Sequence, residues 1–136
     1  MDSFLGRYSE YIYAVLRIVS GFLFMWHGSQ KWLGYPPQAN ASPGGITASM
    51  AVAGSIELLG GFLIMIGLFT GFAAFLASGL MAFAYFIGHF STAAFLPIAN
   101  RGELAVLYCF VFLYIAARGS GMWSVEGAFK GSRAAT

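Results

Sequence analysis

Apolar residues dominate positions 11–33, 47–90 and 101–118, and the polar breaks between these runs are short. The first run predicts a helix over 11–33, long enough at ~1.5 Å per residue to cross a ~30 Å hydrocarbon core. Gly34 and the Pro36–Pro37 pair stop it. Residues 35–46 hold three of the four prolines and read as a loop, with Thr47 or Ser49 placed to cap the next helix. Residues 50–90 are almost unbroken apolar. As one helix they would extend about 60 Å, twice the core, so they must fold into a hairpin. Gly67 and Thr70–Gly71 mark its turn, which gives helices over 47–69 and 72–90. Asn100, Arg101, Gly102 and Glu103 then read as a capping box, with Asn100 as the cap and Glu103 three positions on. They open a last helix over 101–118. Residues 119–136 are glycine-rich and read as an interfacial tail. The expected fold is all-α: a single domain forming a four-helix transmembrane bundle.

The first helix departs from a plain membrane span. Arg17, Ser20, Gly21, Phe24, His27, Gly28 and Lys31 recur at i, i+3, i+4 and i+7 and share one face. Ile18, Val19, Phe22, Leu23 and Met25 form the opposite face, with Trp26 alongside. One face suits lipid; the other must meet protein or trapped water. An arginine at the bilayer centre costs roughly 2.5–3.5 kcal/mol even on a lenient insertion scale, so Arg17 needs a partner. Glu57 lies roughly 15 Å into the second helix and Arg17 about 9 Å into the first from the other side, by helical rise. An extended arginine side chain spans the difference, so the two are expected to pair. Gly54, Glu57 and Gly61 recur at helical spacing and let a neighbour approach that face closely. Lys31, His89, Arg101 and Glu103 fall near the outer helix ends, and His27 sits one turn deeper than Lys31. The expected picture is a polar ladder from the outer mouth down to Glu57 and Arg17. Its histidine can accept a hydrogen bond from a bound group or relay a proton.

Composition narrows the class. Of 136 residues, 59% are hydrophobic and 9% charged, far below the ~25% charged share of soluble domains. The chain is an integral membrane protein by this measure, in contact with a lipid bilayer. A net charge of +2 with no basic run argues against a nucleic-acid partner. The single cysteine, Cys109, excludes an internal disulfide. The two histidines are far apart in sequence and no H-x-x-E or H-x-x-x-H pair occurs, so no metal site is expected. Asp2 and Glu10 spoil a basic leader, so the first helix is expected to stay in the mature protein. Four crossings put both termini and the 67–71 turn on one side, with Arg7, Arg118, Lys130 and Arg133. The opposite loops carry Lys31 and Arg101, so the positive-inside rule puts both termini in the cytoplasm.

Three segments together carry a resemblance. R-x-x-x-G-x-x-F-x-x-H-G-x-x-K-W in the first helix, G-S-I-E-L-L-G-G-F-L-I-M-I-G-L-F-T in the second, and N-R-G-E-L-A-x-L followed by R-G-S-G-M-W-S-V-E at the end resemble the DoxX family. The likeness runs in order over residues 11–127; Glu126 stands where the family commonly shows aspartate, and the 35–46 loop is longer than in many members. It implies a small four-helix protein of the inner membrane. Related members are subunits of terminal quinol oxidases or thiosulfate:quinone oxidoreductases, or belong to membrane complexes that handle thiol and oxidative stress. By that likeness Arg17, His27, Lys31, Glu57 and Glu103 are the matching polar positions, and a quinone headgroup or an oxyanion is their implied ligand. No cofactor motif is evident in the chain itself, so any oxidoreductase role needs a partner subunit. A small oligomeric, proton-coupled transporter or channel and a purely structural assembly subunit are the alternative readings, and a homo-oligomer serves either.

Overall fold

The computed structural model describes residues 4–37 and 45–134; the middle of the expected 35–46 loop lies outside them. Among the described residues there are six helices and no named strand. Helix α1 spans Ser9–Leu33 after a short 3-10 turn, and Gly34 closes it with a left-handed φ of 63°. Helix α2 spans Ala48–Ile66, capped by Thr47, whose hydroxyl accepts the Met50 N–H at 3.3 Å. Helix α3 spans Thr70–His89, α4 is the single turn Pro97–Asn100, α5 spans Glu103–Arg118 and α6 spans Val125–Ala134.

The hairpin expected between residues 50 and 90 is present, with a tighter turn. Gly67 ends α2 at φ 73°, and the amides of Gly67 and Leu68 both return to the Leu63 carbonyl at 3.0 Å. Thr70 already belongs to α3, so the turn is shorter than a 67–71 linker. The last helix starts at Glu103 rather than 101, and its cap position is Gly102, with no side-chain cap bond. Asn100 does not form the expected capping box. Its Oδ1 accepts the Gly102 amide at 2.8 Å, so the acceptor meant for the helix is spent on a local turn. Arg101, at φ 60°, makes that turn instead of starting the helix. Within the 119–136 tail, α6 forms over Val125–Ala134.

Among the described residues three helices are long and apolar enough to cross a membrane, counting the 3-10 turn with α1: Gly6–Leu33, Ala48–Ile66 and Thr70–His89. Helix α5 has 16 residues, about 24 Å by helical rise against a ~30 Å core. Pairing is antiparallel and close. A Cβ on Gly21 would lie 2.6 Å from the Met65 nitrogen and 2.7 Å from the Gly61 carbonyl, so α1 and α2 touch backbone to backbone there. Ala73, Ala74 and Ala77 of α3 are buried, and the Ser78 hydroxyl donates to the Cys109 carbonyl of α5 at 2.8 Å. Phe24, Ile64, Phe112 and Ile115 fill the centre. The two-faced reading of α1 holds: Arg17, Ser20, Gly21, Phe24 and Gly28 are buried, whereas Val19, Phe22 and Leu23 are exposed.

Candidate functional site

The contacts of Gly21 with Gly61 and Met65, and of Gly28 with Gly54 and Leu58, fix the register of α1 on α2. That register separates two residues expected to pair. Arg17 lies level with the Ile64–Met65 end of α2, eight residues past Glu57, or about 12 Å along the helix. The polar ladder is therefore two separate constellations.

The inner one is a clamp on backbone. Arg17 is fully buried, and its Nη1 donates to the carbonyls of Ile64 and Met65 at 2.7 Å each. Its Nη2 donates to Trp123 at 2.8 Å and Met122 at 3.3 Å. A helix end leaves carbonyls without intrahelical partners, and the guanidinium satisfies those of α2 while tying down the segment before α6. Glu126 completes the junction: its amide donates to the Gly67 carbonyl at 3.1 Å and its carboxylate accepts the Thr70 amide at 3.2 Å. The charge of Arg17 is met by these carbonyl dipoles and not by Glu57.

The partner of Glu57 is Lys31, which contacts both carboxylate oxygens. The ion pair is nearly closed to the surroundings on the acid side, at 5% side-chain exposure, and more open on the lysine side, at 28%. Two backbone irregularities build the surroundings. Residues Ile56–Gly60 of α2 and Tyr85–His89 of α3 are π-turns, and each holds a residue of the site: Glu57 in one, His89 in the other. A wide turn shifts the residues beyond it on the helix face, and such turns are frequent at functional sites. The Phe90 amide bonds the Tyr85 carbonyl at 2.8 Å, the i→i+5 signature.

Between these turns lies a cavity of about 290 Å³. Its polar lining is His27, Lys31, Glu57, His89 and Arg101; Phe24, Met81 and Tyr108 are among its apolar walls. The His27 ring meets Tyr108 edge to face at 6.2 Å between centroids. The His89 Nδ1 lies 3.1 Å from the Asn100 carbonyl, so it carries the hydrogen and leaves Nε2 as the acceptor in the neutral ring. Of the residues singled out from sequence, the structure brings His27, Lys31 and Glu57 together. Arg17 stands apart in the clamp, and Glu103 lines a neighbouring trough of about 880 Å³. Arg101, expected both at a helix start and near the outer mouth, lines both spaces. His89, expected near the outer end of its helix, lines the cavity as well. Its position at the outer end of its helix, level with Lys31, was the available signal.

The comparisons with known proteins bear on this arrangement. The DoxX family profile matches residues 12–90, more than half of the chain, taking in α2, α3 and all but the first residues of α1, with Lys31, Glu57 and His89. The chain belongs to the DoxX family. It is 42% identical over 128 residues to a protein of Haemophilus influenzae described as uncharacterized, covering 92% of this chain and 96% of that one. No solved structure matches. This DoxX protein is thus a multi-pass membrane protein, and the likeness to the Haemophilus protein extends past the matched 12–90 region.

Proposed function

We propose that this DoxX protein is a small accessory subunit of a quinone-linked redox complex in the inner membrane, with the outer cavity receiving a quinone headgroup. One observation carries the reading: Lys31 turns inward. A lysine near a helix end ordinarily runs its stem along apolar surface and keeps its ammonium in the wet interface. Here it reaches back to a buried carboxylate, which costs desolvation that a structural role alone could avoid with apolar residues. The pair holds a charged, hydrogen-bonding wall beside an opening large enough for a ring.

The chemistry fits a headgroup with two carbonyl oxygens. The Lys31 ammonium and Arg101 guanidinium supply donors, while Glu57 and the His89 Nε2 supply acceptors for the hydroxyls of the reduced form. Electrons come from a partner subunit. In the bilayer we place four crossings, α5 being the fourth, with both termini and the 67–69 turn in the cytoplasm and the cavity at the outer side. Arg7, Arg118, Lys130 and Arg133 at one end, against Lys31 and Arg101 at the other, support that orientation.

Gentle extraction from the native membrane followed by mass spectrometry tests the reading. Co-purifying oxidoreductase subunits and a bound quinone are expected. A clean homo-oligomer with no lipid-soluble cofactor would move the assignment to transport or scaffolding.

A further inference from the structure

The polar cavity adjoins a second, larger space. Arg101 and Leu104 line the cavity and also line the larger trough, which runs over the exposed face of α5 past Leu107 and Phe110. Leu104, Leu107 and Phe110 are 51%, 62% and 64% exposed, so the far part of the trough is an apolar surface open to lipid. Its near end is charged, by Arg101 and Glu103. A polar chamber, a cationic boundary residue and an apolar groove therefore lie side by side along α5.

Size decides what such a space suits. Small-molecule sites commonly measure about 300–1,000 Å³. The chamber, at about 290 Å³, is at the bottom of that range and holds a headgroup but no long chain. The trough, at about 880 Å³, has the room the chamber lacks. Threshold geometry is also fixed. Arg101 occupies the left-handed region at φ 60°, where a side-chain-bearing residue persists only if its surroundings hold it. They do: the Asn100 side-chain Nδ2 donates to the Ala94 carbonyl at 3.0 Å, its Oδ1 accepts the Gly102 backbone amide, and the Asn100 backbone carbonyl meets His89. The ion pairs among the described residues are Lys31–Glu57 and Arg118–Glu10, so the Arg101 charge is not committed to a carboxylate there.

Building on the headgroup reading above, we propose that the site is loaded sideways from the bilayer. The ligand is then a chain-bearing quinone: its ring passes Arg101 to reach the Lys31–Glu57 wall, and its chain lies in the trough over α5. Arg101 is the threshold residue that holds a ring oxygen during entry. A lipid-borne molecule never has to leave the membrane to bind.

The test uses full-length protein in nanodiscs and two probes, a benzoquinone bearing a long alkyl chain and the same ring without the chain. Leu107→Trp fills the trough without touching the chamber, and Leu113→Trp, on the same helix but outside the trough, controls for bulk. Leu107→Trp is expected to weaken the chain-bearing probe at least tenfold and leave the chainless probe unchanged, while Leu113→Trp affects neither. If wild type and Leu107→Trp bind both probes alike, sideways loading is overturned and the headgroup site stands. If wild type binds neither probe, the headgroup reading fails and sideways loading fails with it.

Discussion

Arg17 and Lys31 are two cations on one helix face with opposite fates. Arg17 gives its hydrogen bonds to four backbone carbonyls, so it acts as a structural bolt between α2 and the segment before α6. Removing it strands those acceptors, and Arg17→Met is predicted to cost about 3–5 kcal/mol, the scale of breaking a buried charged contact. Thermal unfolding in detergent checks this, and Arg17→Lys should recover only part, since an ammonium cannot fork across several carbonyls. Lys31 has a carboxylate partner, and its removal has a different signature. Lys31→Met alone leaves Glu57 buried without a counter-charge and should destabilise by a similar ~3–5 kcal/mol. Adding Glu57→Gln should restore most of the loss, a coupling within the ~0.5–3 kcal/mol seen for contacting residues or somewhat above it. Additive single effects would disprove the pair. Sequence reasoning identified both cations but joined Glu57 to the wrong one. Counting depth from helix ends carries the error of those ends, whereas the true register is set by Gly21 against Gly61 and Gly28 against Gly54.

At the scale of elements, the faces were readable and the irregularities were not. Periodicity placed Arg17, Phe24 and Gly28 inward because burial follows the helical repeat. The hairpin was readable from length alone. The π-turns leave no mark in hydropathy, because one wide turn barely disturbs an apolar run. The Asn100-Arg101-Gly102-Glu103 signature misled for a related reason: the same cap residue can close a turn before the helix begins, and here it does. Deleting Leu59, an exposed residue within the Ile56–Gly60 turn, should restore regular helix and turn Glu57 away from Lys31 by roughly one residue, about 100°. The expected result is a folded protein by circular dichroism that has lost quinone binding. Unchanged binding would show that the wide turn does not place Glu57.

For the whole molecule, the question is how six helices meet the bilayer. Two close-packed pairs, α1 with α2 and α3 with α5, leave a belt of exposed apolar side chains such as Phe22, Phe62, Phe75 and Phe110. The clamp at Arg17 ties up one end of the molecule, and the cavity lies toward the other. Orientation is checked by replacing Cys109 with alanine and introducing Thr92→Cys or Lys130→Cys. In intact spheroplasts an impermeant maleimide should label Thr92→Cys at once and Lys130→Cys only after lysis. The reverse pattern would invert the topology and put the cavity on the cytoplasmic side.

The central claim, that the Lys31–Glu57 wall receives a quinone, is met most directly by one comparison. Wild type and the Lys31→Met/Glu57→Gln double variant are taken from native membrane in detergent-free discs, and the quinone retained per protein is measured alongside their melting temperatures. The account predicts quinone retained by wild type and lost by the double variant, although the latter stays folded with most of the wild-type stability. Equal quinone content in both would contradict it and leave the ion pair a structural device.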